Sequence, residues 1–465
     1  MTRRRFRERA VIAALCALGA VYVLATTAAP VIAPDSADYL AAAPVRLLGY
    51  PLFLSITGVG GAVVLQPVLF ALALTVLGWE TLETSSSLAL AVAIVIAAMV
   101  NPYLAEYHAS VLSESLAMTT LVALLAAIVR FVRAPSWPRA GCASLIAGLA
   151  AAVRPTGYAL IPVLGVMILL ERRRLPSRRA VAVAAIVPML ALPLVERLAA
   201  RAVHRGEMTS LMGRVLFAKA GIVDAPPGPV PAADPARLSL ERALEVRYAP
   251  IRDLIDSAPT RDVRDVLTLY YEGCLQWRCV DGLRRGTGLS EPRVNDLTSE
   301  VGLARLERAP MRYVALWALN YRALWKAYPA RHPATAPALN AYVASRRPLP
   351  FEADVFAPEG HYAFTIEPYP PAAFLRAALS LAGWATGALA LLGLGAALIK
   401  PALPPMLAAA TLAALAAHGG LLFTAALGAG AARFTVSFLP AIMMALLYAG
   451  WCLLERFGAR RRSDA

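Results

Sequence analysis

The chain has 465 residues, 59% of them hydrophobic, with a formal charge of +15 and a mean hydropathy of +0.60. A soluble domain has no way to hide that much apolar side chain, so most of it faces lipid or other spans. The charge does not imply a nucleic-acid partner, because the arginines fall in short runs between apolar segments rather than in one patch.

The first apolar span covers roughly 10–31 and follows Arg3, Arg4, Arg5, Arg7 and Arg9. About 22 residues at about 1.5 Å each reach about 33 Å, enough to cross a bilayer. Small residues between Ala25 and Ala29 also fit a signal-peptide cleavage site, but the apolar run is longer than a signal core and many spans follow. Beyond it comes Asp35-Ser36-Ala37-Asp38-Tyr39-Leu40, then an apolar stretch to Ile56 interrupted by Arg46, Gly49 and Pro51, which reads as helix lying along the membrane. Further spans are expected near 61–79, 87–101, 110–130, 141–153, 156–170, 180–196, 373–399, 404–427 and 434–454.

With both termini inside, the inner loops hold Arg130, Arg133, Arg139, Arg172, Arg173, Arg174, Arg178 and Arg179, and the tail holds Arg456, Arg460, Arg461 and Arg462. The outer segments hold only Arg46, Arg154 and Arg433, an asymmetry that sets the orientation. The acidic Glu80/Glu83 segment runs against it. Between Arg197 and about Pro371 hydropathy falls and charges of both signs appear, enough for a folded external domain. Leu240, Leu244, Tyr248, Ile251 and Leu254 stand at helical spacing there, with Pro250 among them.

The expected architecture is therefore an all-α polytopic membrane protein of about 10 transmembrane helices, with a mainly helical periplasmic domain between spans 7 and 8. Its parts are an N-terminal transmembrane catalytic module over 1–196, the periplasmic domain over 197–372, and C-terminal transmembrane helices with a basic cytoplasmic tail over 373–465. The expected setting is a bacterial cytoplasmic membrane, with the site facing the periplasm or cell exterior. Cys274 and Cys279 are the one close cysteine pair in the external domain, and a local disulfide is the preferred reading. Two free thiols are the alternative; a metal site lacks a matching second pair.

Asp35 and Asp38 are three residues apart, so one helical turn puts both on a single face where lipid-linked substrates lie. A carboxylate there could take a proton from an acceptor hydroxyl or hold a cation; equally, Asp35 reads as the cap of the next helix. The segment Asn101 to Leu116 adds Glu106, His108 and Glu114, the last inside the apolar run that starts a span. Intramembrane acids line aqueous cavities or meet partners. An interfacial polar belt anchored by Tyr103 and Tyr107 is the plainer reading. Arg154 is isolated in Ala151-Ala152-Val153-Arg154-Pro155-Thr156-Gly157, and Arg433 precedes the last span in a similar way. Two isolated arginines on the outer side suit a phosphate at the membrane surface, or else they snorkel or pair with the acids. Arg214 and Lys219 are weaker phosphate candidates.

These pieces together resemble the C-type glycosyltransferase superfamily, in particular its bacterial members near the protein mannosyltransferase and lipid A aminoarabinose transferase group. The matching residues are Asp35 to Leu40, Gly49-Tyr50-Pro51-Leu52-Phe53-Leu54, Ser113-Glu114-Ser115-Leu116, Arg154-Pro155-Thr156-Gly157 and Arg433. The resemblance implies transfer of a sugar from a polyprenyl-phosphate donor to an extracytoplasmic glycan, lipid or protein acceptor. Asp35 matches the catalytic acid, acting as base. Asp38, Tyr39, Glu106, His108 and Glu114 would shape the substrate cavity, with Arg154 and Arg433 on the donor phosphate. Relatives commonly carry Asp-Glu where this chain has Asp35-Ser36, and the large domain lies between spans instead of at the C-terminus. No acids here match a divalent-metal site, so the cofactor is unknown. The competing classes are a polysaccharide polymerase or ligase using a diphosphate donor, a transporter, and a scaffold without activity.

Overall fold

In the computed structural model, the described residues are 2–26, 29–32, 35–99, 104–175, 177–205, 212–225, 235–261, 263–265, 267–269, 271–272, 289–326, 372–399, 402–428 and 432–463. They are helical, without named strands; one isolated bridge joins Val31 to Ser110. Seven of the helices are long and apolar enough to cross a membrane, and three shorter apolar helices accompany them. The chain is thus a multi-pass helical membrane protein.

The chain divides into two compact units. The first comprises 1–206, 381–420 and 436–465. Its helices begin with α1 (Arg3–Thr26), α2 (Ser36–Leu40), α3 (Gly49–Ser85), α4 (Leu88–Met99), α5 (Leu104–Ala109) and α6 (Glu114–Arg133). They continue with α7 (Trp137–Val153), a 3-10 turn over Pro155–Leu160, α8 (Ile161–Leu170) and α9 (Arg178–Val203). Parts of α14 (Ala372–Ile399), α15 (Pro405–Leu427) and α16 (Ala432–Ser463) complete it. Helix α7 packs on α9 and α6, and α3 packs on α6 and α1.

Several elements differ from the sequence expectation. The stretch from Gly49 to Ile56, expected as a segment separate from the span at 61–79, is helical, and a kink at Gly58 sets it off from that span within α3. Gly58 divides that helix with φ 66°, a left-handed backbone that glycine adopts without strain. The first helix starts at Arg3, so the arginines before the span lie in its opening turns. Helix α9 tolerates Pro188 and Pro193 and runs to Val203, past the expected end at 196. The two short spans on either side of Arg154 are separated there by a break in the helix. Arg154 is extended (φ −150°, ψ 138°), as the residue before a proline prefers, and Pro155 offers no N–H to continue α7.

One end of this unit gathers the basic residues. Glu80 and Glu83, which ran against the expected orientation, sit in the last turns of α3 and answer arginines there. Arg9 meets Glu83 at 2.9 Å and Arg133 meets Glu80 at 2.9 Å. Nearby, Arg174 bonds Glu171 at 2.8 Å and the Val132 carbonyl at 2.9 Å. The acids are counterions of the basic end, so they do not weaken the asymmetry of the loops.

The second unit covers 207–380 and 421–435. Its helices are α10 (Met212–Ile222), α11 (Pro235–Asp256), α12 (Glu291–Leu306) and α13 (Pro310–Lys326). Leu240, Leu244, Tyr248, Ile251 and Leu254 all point into its core with Phe217, Val263, Leu267, Leu297 and Val301, and Pro250 lies inside α11 without ending it. Buried charges are paired here. Arg305 reaches Glu241 at 2.5 Å, Glu245 at 2.7 Å and the Ala225 carbonyl at 2.8 Å. Lys219 pairs with Glu272, which also accepts from Asn320 Nδ2 at 2.9 Å. Arg214 donates to Asn295 Oδ1 at 3.0 Å. Arg214 and Lys219, read from sequence as phosphate candidates, are interior residues with protein partners. Cys274 and Cys279 lie outside the described residues.

Candidate functional site

The end of the first unit away from the basic residues is assembled from the tail of α1, the turn before α6 and the break after α7. Val31 donates to the Ala109 carbonyl at 2.9 Å and accepts from Val111 N–H at 3.0 Å. Ser36 Oγ adds a bond to the Val111 carbonyl at 2.9 Å. These three bonds pin α2, and with it Asp35 and Asp38, beside the N-terminus of α6.

Asp35 stands at the cap position of α2, yet its backbone is already helical and its side chain makes no capping bond. The capping reading therefore fails, and the side chain is turned to Arg46 instead. Arg46 Nη2 donates to Asp35 Oδ1 at 2.9 Å and to Asp38 Oδ2 at 2.8 Å, and its Nε reaches Asp38 Oδ2 at 3.1 Å. Its guanidinium lies over the Tyr39 ring, 4.9 Å from the centroid. The acids keep more access than the cation: the Asp35 and Asp38 side chains are 24% and 36% exposed, Arg46 11%. Burial on its own pulls the Arg46 pKa down, but Tyr39, Asp35 and Asp38 more than reverse this, so it rises above the usual arginine value.

Tyr39 connects this group to a second one. Its hydroxyl and Ser113 Oγ are 2.9 Å apart, and Arg154 Nη1 donates to the same Ser113 Oγ at 3.3 Å. Arg154 Nη1 also lies 2.8 Å from Glu114 Oε2. Glu114 occupies the first turn of α6, where its charge also suits the helix dipole. Arg154 comes close because α7 ends against glycines. A Cβ on Gly157 would stand 2.3 Å from the Ala150 carbonyl carbon, and one on Gly49 2.5 Å from the Ala152 oxygen. Behind Tyr39, the Tyr50 ring packs edge-on at 5.0 Å, and its hydroxyl bonds Gln66 Oε1 at 3.1 Å.

His108 is buried one layer deeper. Gln66 Nε2 donates to its carbonyl at 2.8 Å, Phe70 packs against its ring, and its Nδ1 meets Ser115 Oγ at 2.6 Å. Burial pushes its pKa down to about 3, so the ring is neutral. Glu106 is exposed, and only its backbone carbonyl, which accepts from Ser110 Oγ at 2.6 Å, joins the local network. Arg433 lies in the first turn of α16, and its side chain is outside the described residues.

The geometry thus brings Asp35, Asp38, Tyr39, Glu114 and Arg154 into one chain of contacts, with His108 behind it and Glu106 at the surface. Sequence reasoning passed over Arg46, Gln66 and the bridging role of Ser113. For Arg46 the signal was present: a single cation eight residues after Asp38 in an otherwise uncharged stretch. Among the described residues, no three His, Cys, Asp or Glu side chains gather as a metal ion needs.

No protein-family model matches the chain, and no curated protein matches it. Among solved structures, it is similar to a crystal structure of ArnT from Cupriavidus metallidurans bound to undecaprenyl phosphate, with 12% identity over 94% of this chain and 77% of that one and a TM-score of 0.33. Identity and superposition this low leave the functional reading to the residues of this chain.

Proposed function

We propose that this chain is an integral-membrane glycosyltransferase that moves a sugar from a polyprenyl-phosphate donor to an extracytoplasmic acceptor. The observation that carries the reading is the gathering of Asp35, Asp38 and Glu114 with Arg46 and Arg154 at the end of the bundle opposite its basic residues. By the positive-inside bias the basic end is cytoplasmic, which puts the acids at the external surface of the membrane.

In this reading Asp35, partly open to solvent, takes the proton of the acceptor hydroxyl. The acceptor oxygen bonds to the sugar carbon as the carbon–oxygen bond to phosphate breaks on the opposite side. The phosphate leaves with the electron pair, and its charge is met by Arg154 and Arg433. Asp35, Asp38 and Glu114 against Arg46 and Arg154 leave one negative charge, so a donor phosphate needs a further cation. Thr120 and Leu121 of α6, Ala150 of α7 and Phe438 of α16 line the hollow beside Arg154.

The test uses purified protein in lipid with a panel of polyprenyl-phosphate sugars, following release of free polyprenyl phosphate. One donor is expected to turn over, and Asp35→Asn is expected to slow it by about 10²–10⁴-fold, the range of general-base removal. Equal rates for both proteins would refute the role of Asp35. Turnover of diphosphate-linked donors alone would replace this reading by the polymerase or ligase class.

A further inference from the structure

Nothing in the motifs assigned a role to Arg46, yet it bonds both acids. We propose that Arg46 is the positioning residue of the site: by bridging Asp35 and Asp38 it offsets the repulsion between them and holds Asp35 facing the acceptor. This rests on the reading of Asp35 as the base.

Asp35 and Asp38 are separated by one helical turn, which brings their side chains within about 5–6 Å at Cβ. Two carboxylates that close oppose each other unless a cation is shared between them. One guanidinium removes that opposition for both acids, since Nη2 is shared between Asp35 Oδ1 and Asp38 Oδ2 while Nε takes a second bond to Asp38. The planar fork does what one ammonium could not, because it reaches two carboxylates in fixed directions.

Arg46 is itself held. Its side chain is 11% exposed, lies over Tyr39 and follows α2 by a short connection, so it has little freedom to leave. Tyr39 in turn is tied to Ser113, and Ser113 to Arg154. Among the described residues, Arg46 from the connection to α3 bonds both acids, and Tyr39 beneath it links the group through Ser113 to Arg154 and Glu114. A salt bridge of merely structural use would not need to be shared between two acids of which the more exposed one, Asp38, takes two of its three bonds.

The measurement is the pH profile of kcat/KM in lipid for wild type, Arg46→Gln, Arg46→Lys, and Arg46→Gln combined with Asp38→Asn, each checked for a cooperative melt. Loss of an opposite charge at hydrogen-bond distance moves an acid titration by roughly 1–3 pH units. The acid limb is therefore expected to move up by roughly 1–3 units in Arg46→Gln and by less in Arg46→Lys. It should return toward wild type when Asp38→Asn removes the competing charge. The limb belongs to the pair as a whole.

An unmoved limb in a folded Arg46→Gln protein overturns the proposal, as does a shift that Asp38→Asn leaves in place. If Arg46→Gln does not fold, Arg46→Lys with and without Asp38→Asn decides by the same two readings. Asp35→Asn separates the two failures. Full activity there sinks the base itself, whereas an inactive Asp35→Asn beside an unmoved limb in Arg46→Gln sinks only the role of Arg46.

Discussion

Changing Glu114 to Gln removes one charge from a pair whose side chains are 3% and 11% exposed and whose atoms are 2.8 Å apart. The glutamine keeps a hydrogen-bonding oxygen for Arg154, so the loss is charge. Coulomb attraction at this distance, with an effective dielectric constant of ~20, is about 4–6 kcal/mol. Breaking a buried pair from one side independently costs about 3–5 kcal/mol, because the remaining charge stays desolvated. The two routes agree, and at about 1–2 °C per kcal/mol for a chain of this size the melting midpoint should fall by roughly 3–10 °C. Replacing both partners, Glu114→Leu with Arg154→Met, should restore much of that stability while abolishing activity, since no stranded charge is left. Thermal melts in detergent or nanodiscs read both effects. A midpoint for Glu114→Gln within about 2 °C of wild type, the size of an ordinary surface substitution, would refute the idea that this pair is held dry and mutually dependent.

Gly157→Ala should also destabilise, by about 1–3 kcal/mol, since its Cβ must push the 3-10 turn off the Ala150 backbone and take Arg154 with it. Gly60→Ala, with nothing within 4 Å of its Cβ, is the matched control and should melt at or above wild type in the same assay. His108 supplies a pH prediction. Its folded pKa of about 3 lies below the usual 6.5, so the unfolded chain binds the proton first. Its stabilising effect is complete above about 6.5 and fades as pH falls toward about 3, by roughly 2 kcal/mol at pH 5. Melting midpoints at pH 7 and pH 5 should therefore differ less in His108→Gln than in wild type; equal differences would count against the buried neutral ring.

Much of this was readable from the sequence, for identifiable reasons. A bilayer imposes a length on its helices, so the many apolar spans followed from hydropathy, while arginine placement gave their expected polarity. The break at Arg154-Pro155 has its cause in the missing N–H of a proline. Boundaries were less readable where two effects compete. The chain from Gly49 to Ser85 contains Pro51, Gly58 and Pro67; the two prolines are accommodated within helix, whereas Gly58 kinks α3 into two helical parts, and the helix packs on α6. Glu80 and Glu83 looked misplaced because a one-dimensional count weighs an acid against its neighbours in sequence. Their partners, Arg9 and Arg133, come from other helices.

The site shows the same limit in sharper form. Most of its charged residues were noticed singly, by type and by membrane side, because an isolated charge in an apolar setting has few uses. Pairing of the arginines with the acids was one of the readings left open, and Arg154 bears it out, but nothing in the spacing names Glu114 as the partner 2.8 Å away. Arg46 illustrates the cost of reading charges by position alone. On the sequence it merely interrupts an apolar stretch, whereas in the fold it is shared between two carboxylates and lies over the Tyr39 ring. The chemistry of an acid depends on what neutralises it, and the neutralising group is set by tertiary packing. Legible motifs therefore mark where a reaction could occur, while the counterions that tune it come from residues that no motif includes.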